Sequence, residues 1–453
     1  MQINNQKLNK FRRTIHPEET VEIVKLGLKK LGLKESVVSA KNSDELWTAR
    51  IEIPLLRFAS NGKGTSELAA LASAYAEIAE RISAGMENGI KIGPHRNLYG
   101  EKGDTLGYII QYKYMPGYKW AHQDSIQNPV RAEELLREHR FTKGQFEHLK
   151  FNSEMLKHWI PGYSLVHNKV VYVPILFVKW TSSTNGLAAG NTIEEAIVHG
   201  ACEIFERDAM IKYLRFMTKK EVPNIDLSSI EDPTINKILK FFTDNNVDVV
   251  VKDIGQGIYP VYGVITFNNN ISPKSLGYNM FKAGSSFNSI EALTRCFTER
   301  MQGTQFSYEA QQGTIEEQSN PDKHMIMFFS GQCPMNLTRF SEAKTTLPFE
   351  HTSIDYTGEE IEACIRIAKK LNTDLIFIDH THPVLDFPTA RVIMPGISDF
   401  IKWWDPTKVT LDLLGCLESE EDKYEDTLMR VLRSFESKKF SGPAAKNTSR
   451  RDT

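Results

Sequence analysis

The chain has 453 residues, 41% hydrophobic and 25% charged, enough for one large domain or roughly two to three smaller ones of ordinary soluble composition. Lysine plus arginine number 55 against 57 aspartate plus glutamate, a balance that gives no electrostatic case for nucleic acid or a membrane surface as partner. The first sixteen residues hold no apolar run of secretory-signal type, no stretch approaches a membrane span, and the five cysteines are scattered, so a cytoplasmic protein with reduced thiols is expected.

Residues 1–16 are polar and are expected to be loose. Residues 17–33 predict a helix: Thr14 is a candidate cap, Pro17 sits in the first turn, Val21, Val24, Leu28 and Leu31 form an apolar stripe, and Gly32 lies near the end. Residues 46–53 alternate as a strand, and 55–60 suggest a second that leads into NGKG. A helix follows over 67–85, with Ser73, Glu77 and Glu80 on one face and Leu71, Tyr75, Ile78 and Ile82 on the other. Residues 86–165 carry Gly and Pro punctuation and several aromatics, and their pattern supports only a helix over 129–140. Residues 170–180 read as an apolar strand interrupted by Pro174.

That strand delivers the chain to SSTNGLAAGNTIEEAIVHGACEIFERDAM (182–210), a Gly-rich turn running into a helix. Asn191, Glu195, His199, Glu203 and Glu206 recur every three or four residues and share one face at about 100° per residue; Ile197, Ala201 and Ile204 oppose them. Downstream, 233–245 predicts a helix, 247–252 and 259–267 strands, 268–270 a turn and 276–283 another strand. Residues 286–303 repeat the helical design, with Glu291, Arg295, Glu299 and Gln302 opposite Ile290, Leu293, Phe297 and Met301. A helix over 361–371, strands over 374–378 and 390–394, a charged amphipathic helix over 408–436 and a disordered tail complete the reading. Helices and strands alternate without a regular βαβ period, so the expected class is mixed α/β or α+β rather than doubly wound.

Three helices of one design amount to an internal repeat. Hard cations such as Mg²⁺ take oxygen ligands, through one or two carboxylates plus substrate phosphates. Glycine turns at helix starts expose N–H groups to anions, and arginine matches phosphate oxygens bidentately. The set therefore suits a magnesium–nucleotide site better than zinc or iron. Each piece also has a plainer reading. Glu195 three residues after Thr192 is a capping box. Glu77 and Glu80 could be a solvated face, NGKG a hairpin turn, and Arg81 and Arg207 intrahelical ion-pair partners. His380 and His382 flank Thr381 beside Asp379, either a metal-binding cluster or a loop at a strand end.

Four segments together resemble the YcaO family: NGKGTSELAALASAYAEIAER (61–81), NGLAAGNTIEEAIVHGACEIFERDA (185–209), AGSSFNSIEALTRCFTERMQG (283–303) and RVIMPGISD (391–399). The resemblance spans roughly residues 8–405. It implies a fold of its own type, with mixed sheets and signature helices converging on an ATP and Mg²⁺ site. It implies phosphorylation of a backbone amide oxygen in a peptide or protein substrate, followed by attack of a nucleophile on the activated carbon. Ser73, Glu77, Glu80 and Arg81 match the first family helix, and Asn191, Glu195, Glu203, Glu206 and Arg207 the second. Arg295 and Glu299 match the third, with Arg295 near phosphate; Arg13 and Thr20 match the basic and hydroxyl residues that the family supplies near its N-terminus. The resemblance assigns Glu77, Glu80, Glu195, Glu203, Glu206 and Glu299 to metal. It gives Arg13, Thr20, Ser73, Arg81, Asn191, Arg207 and Arg295 to nucleotide, with Arg207, Arg295 and Glu299 nearest the chemistry. The expected organisation is an N-terminal region contributing to the nucleotide site (1–58), a catalytic domain (59–405), an amphipathic helix (406–436) and a tail (437–453). Thioamide formation with a sulfur-delivering, TfuA-like partner is the expected reaction; an azoline-forming cyclodehydratase and a non-catalytic accessory factor for ribosomal protein methylthiolation are the alternatives. The chain ends SRRDT, without the Pro-rich tail common in azoline-forming members. A homodimer is expected from the family.

Overall fold

The computed structural model describes residues 3–84, 126–135, 159–216, 221–302 and 341–398, apart from 57, 127, 183 and 276. The expected helix over 408–436, the tail and most of 86–158 lie outside the described residues.

Helix α1 (Pro17–Lys30) is capped by His16, not Thr14: the imidazole accepts from the amide of Glu18, and Pro17 fills the position where no donor is needed. Gly32, at φ +70°, ends it. Strands β1 (Ser36–Ser43), β2 (Leu46–Ile53) and β3 (Phe58–Gly64) form an antiparallel sheet in that order, and α2 (Glu67–Ser83) lies on it. NGKG is therefore not a turn but the end of β3, paired from Asn61↔Arg50 to Gly64↔Trp47. Its glycines serve a close approach: a Cβ on Gly62 would sit 2.1 Å from the carbonyl oxygen of Ala70 on α2.

Strand β4 (Trp159–Ser164) pairs with β5 (Lys169–Pro174). The expected strand over 170–180 stops at Pro174, which cannot extend a ladder as a donor, and α3 (Ile175–Ser182) takes over. Short strand β6 (Leu187–Ala189) leads into α4 (Ile193–Phe216), the central helix. After β7 (Asn224–Ile225), helix α5 (Pro233–Asp244), capped by Asp232, precedes the antiparallel sheet β8 (Val247–Asp253), β9 (Val261–Asn268) and β10 (Asn279–Ser285), then α6 (Ser289–Met301). Strand β11 (Thr346–Leu347) pairs in parallel with β7. Helix α7 (Thr357–Lys370) and strands β12 (Ile376–Asp379) and β13 (Thr389–Ile393) complete a five-stranded sheet of order β5-β4-β12-β13-β6. This is the mixed α/β class expected. Among the described residues no helix is long and apolar enough to cross a membrane.

The order α1-β1-β2-β3-α2 recurs as α5-β8-β9-β10-α6, with the same strand order in each sheet. At one constant offset Gly62 matches Gly284. Their missing Cβ atoms face the carbonyls of Ala70 and Ala292 and the amides of Ala74 and Cys296. The helix caps match too, Ser66 accepting from the amide of Ala69 and Asn288 from that of Glu291. One apolar core joins α1, α2 and β2, another α5, α6 and the β8–β10 sheet, and a third wraps α4.

The N-terminal segment is not loose. Leu8 is buried, its amide donates to the carbonyl of Asp355 (2.8 Å), and the amide of Thr357 donates to that of Gln6 (3.0 Å). Asn5 Oδ1 accepts from the amide of Gly358 at 2.9 Å, and Asn4 donates its amide to Glu194 at 2.9 Å. The segment thus satisfies orphan donors of α7 and is strapped to the start of α4.

Candidate active site

Strand β3, α2, α4 and α6 bring their polar faces together. The centre is Lys63, whose ammonium is ion-paired with Glu299 on α6 and 3.4 Å from Gln302 Oε1. Burial pulls its pKa down to about 8, while Glu206 on α4 and Glu77 on α2 oppose that and Arg295 and Arg207 add to it. All three signature helices therefore lie within electrostatic reach of one amine. Ser73 is partly buried on the Glu77 face of α2, one turn earlier.

Between α2 and α4 the carboxyls crowd. Burial raises Glu80 to about 8, with Arg81 opposing and Glu203 and Glu77 adding. Glu203 is raised by burial against Arg207, with Glu206 adding. Arg81 lies 3.2 Å from Glu77 and 3.5 Å from Glu80, and Arg207 3.9 Å from Glu203, so the intrahelical ion pairs expected from spacing form. They also point into the shared site.

Asn191 and Glu195 stand at the start of α4. The Glu195 amide donates to Thr192 Oγ1 at 3.2 Å, the first half of the expected capping box, while Glu195 Oε2 reaches one residue further back and accepts from the Asn191 amide and side chain, both at 3.0 Å. Its other oxygen accepts from the Thr14 amide. Thr20 donates its hydroxyl to Asn191 Oδ1 at 2.8 Å, so two of the seven residues that the family pattern assigns to nucleotide touch.

A small cleft opens beside this cluster, walled by Leu8, Arg12 and Arg13 of the strap, His199 and Cys202 of α4, and Arg295 of α6. Arg295 is held by Glu291 at 3.1 Å and lies within reach of Glu206, so it joins cleft to carboxylates. Arg12 forms the outer wall, 2.7 Å from Asp355 and 3.3 Å from Glu360. Burial lifts Cys202 to about 12, and such a thiol is no nucleophile at neutral pH. Burial and then Arg295 and Arg13 push His199 well below the ordinary range, so the ring is neutral.

The donors in this cluster include several carboxylate oxygens, the kind a hard cation prefers. Among the described residues no three His, Cys, Asp or Glu side chains form a ready-made metal cage. Two observations nonetheless fit a cation: Glu80 and Glu203 are partly buried beside like charges, and a lysine ammonium sits on Glu299. Glu77, Glu80, Glu203, Glu206 and Glu299 are the carboxylates this cluster offers. His382 serves a turn instead, its Nδ1 accepting from the amides of Val384 and Leu385 at 3.1 Å.

A family profile described as YcaO cyclodehydratase, ATP- and Mg²⁺-binding, matches residues 61–398, three quarters of the chain. The chain belongs to the YcaO family. It is 26% identical over 368 residues to the ribosomal protein S12 methylthiotransferase accessory factor YcaO of Escherichia coli, covering 75% of this chain and 57% of that protein. It is 22% identical over 262 residues to an uncharacterised protein in the tfuA 3′ region of Rhizobium leguminosarum bv. trifolii, covering 53% of this chain and 60% of the relative. The chain spans somewhat over half the length of such relatives. Its fold resembles a heterocyclase solved with substrate and cofactor (TM-score 0.60, 19% identity, 88% of this chain and 54% of that one). It also resembles YcaO from Methanopyrus kandleri bound with AMPPCP and Mg²⁺ (TM-score 0.55, 18% identity, 86% and 93%).

Several residues of this YcaO-family site escape the helical pattern. Lys63 is flanked by glycines in a strand. Arg391 lies on β13, fully buried, donating to the carbonyl of Asn185 at 3.2 Å and within reach of Glu80 and Glu203. Lys282 on β10 is lowered to about 7 by burial, Lys63 and Arg207. Glu360 on α7 is raised to about 7 by burial, with Arg12 opposing. The one available signal for Lys63, Lys282 and Arg391 is that each lies in or beside a segment carrying the family resemblance; Glu360 has none.

Proposed function

We propose that this chain uses ATP and Mg²⁺ to phosphorylate a backbone amide oxygen of a peptide or protein, and that a sulfide then replaces that oxygen to give a thioamide. In the balanced reaction the amide oxygen bonds to the γ-phosphorus of ATP and ADP departs. A sulfide sulfur adds to the amide carbon, the carbon–oxygen bond breaks, and inorganic phosphate carries the oxygen away. The observation that carries the proposal is the convergence of Glu77, Glu206, Arg207, Arg295 and Glu299 on Lys63, with Glu80 and Glu203 alongside.

Phosphoryl transfer needs positioning and charge neutralisation more than covalent help. Bound Mg²⁺ would neutralise charge on the phosphates. Glu77, Glu80, Glu203, Glu206 and Glu299 would hold it, with Glu195 at the start of α4. Ser73, Arg81, Arg207 and Arg295 would orient phosphate oxygens, and the cleft beside Arg13, Thr20 and Asn191 would take the nucleoside. Guanidiniums suit this because they match phosphate oxygens in pairs and stay charged. The relative in a tfuA 3′ region supports sulfide as nucleophile and a TfuA-like sulfur-delivering partner. The accessory-factor name of the Escherichia coli relative favours a second reading, a non-catalytic helper in protein methylthiolation.

Mass spectrometry of a candidate peptide co-expressed with this chain separates the readings. Oxygen-to-sulfur exchange supports the proposal, loss of water marks azoline formation, and an unmodified peptide with ATP bound marks the accessory role. Glu203→Gln abolishes turnover while leaving the protein folded; an active variant overturns the metal assignment.

A further inference from the structure

Lys63 was invisible to the helical pattern, yet it occupies the middle of the site. Its position is built. Gly62 and Gly64 flank it on β3 and let α2 lie directly on that strand. Across the sheet, Lys63 pairs with Thr48 in the middle strand. Its side chain reaches out of the first αβββα unit to the second, onto Glu299 and Gln302 of α6. Gln302 answers by donating to the carbonyl of Asn61 at 2.9 Å. At the matching position the second unit carries Ser285, so no equivalent cation crosses back.

We propose that Lys63 is a resident cation: its ammonium neutralises Glu299 while the site lacks a divalent ion, and Mg²⁺ must displace it from that carboxylate to bind. A carboxylate in a partly desolvated cluster of like charges is costly without a partner. A tethered ammonium supplies that partner at no cost in binding entropy. The same contact sets a threshold, because the metal must outcompete a charge-assisted contact before Glu299 is free to ligate it. Once released, the amine is within electrostatic reach of Glu77 and Glu206 and remains in the site as a positive charge. Lys63 is on this account a positioning residue acting through Glu299. The inference rests on the reading of Glu299 as a metal ligand.

The test uses the full chain and Mn²⁺ alone, followed by electron paramagnetic resonance, with thermal unfolding measured in parallel. Lys63→Met lowers the melting temperature in metal-free buffer and tightens Mn²⁺ by about tenfold, roughly the effect of removing one competing charge-assisted contact. Lys63→Gln keeps a donor to Gln302 and gives the same direction where Lys63→Met does not fold. In a Glu299→Gln background the lysine substitution no longer changes Mn²⁺ affinity. Unchanged or weakened Mn²⁺ binding in both lysine variants overturns the proposal, including the case where only nucleotide binding suffers. If Glu299→Gln alone binds Mn²⁺ as the unmodified chain does, the metal assignment of Glu299 fails, separately from the role of Lys63.

Discussion

Glu80 on α2 and Glu203 on α4 share the same two guanidiniums, Arg81 and Arg391, although the four residues come from three elements far apart in sequence. Burial raises both carboxyls, and the arginines only partly offset it. The arrangement puts ionisation of either carboxyl under electrostatic tension.

That tension gives a pH dependence. Glu80 stands at about 8 in the folded chain against an ordinary 4.5, so between those values the folded state holds a proton that the unfolded chain has released. Its contribution to metal-free stability is therefore greatest below 4.5, falls as pH rises towards 8, and is level above. The melting temperature of the metal-free protein should fall relative to that of Glu80→Gln over this window, and saturating Mg²⁺ with a non-hydrolysable ATP analogue should reduce the difference. Metal-free curves that run parallel in the two proteins would contradict the crowding of these carboxyls.

Replacing the charge tests the same feature differently. Glu80→Gln should stabilise the metal-free protein at pH above 8, by about 1 kcal/mol or more, because one of two crowded buried charges is gone. The same variant should weaken metal–nucleotide binding. Calorimetric unfolding and nucleotide titration of one sample read both effects.

Gly62 bears on packing alone. A methyl group there would lie 2.1 Å from the Ala70 carbonyl and 2.3 Å from the Ala74 amide, both backbone atoms that cannot turn aside. Gly62→Ala should cost about 1–3 kcal/mol in denaturant unfolding, the usual range for overpacking. Gly257→Ala is the control: nothing lies within 4 Å, and only its φ of +71° opposes a side chain, so the cost should be about 1 kcal/mol.

Arg12 ties the N-terminal strap to α7. Arg12→Ala should speed hydrogen exchange at the amides of Leu8 and Thr357, which are bonded across that junction. Nucleotide affinity should fall about three- to tenfold, since Arg12 and Leu8 wall the cleft. Exchange that is unchanged at both amides would show the strap to be held without Arg12.

The three signature helices were legible because burial on one side and polar work on the other impose a period of 3.6 on the sequence. The Thr192 cap of α4 and the strands β2, β8 and β9 followed from similarly local rules. What escaped depended on partners distant in sequence. β1 is an edge strand exposed on both faces, so SVVSAKNS carries no clear alternation. NGKG looks like a turn because glycine permits turns, whereas here it permits a helix to approach. The strap is polar and reads as loose, yet its partners are the helix starts at Glu194 and Thr357. Arg391 sits in an apolar strand with no periodicity to mark it, and only the fold reveals that it faces Glu80 and Glu203.

The two αβββα units share a scaffold but not their chemistry: Ser73 answers to Arg295, Lys63 to Ser285, and only Glu77 and Glu299 agree. A cradle with matched halves would grip a polyphosphate equally well pointing either way. Unlike residues at matched positions break that degeneracy, so in the proposed reaction the chain's own asymmetry would decide which end of the nucleotide meets the peptide.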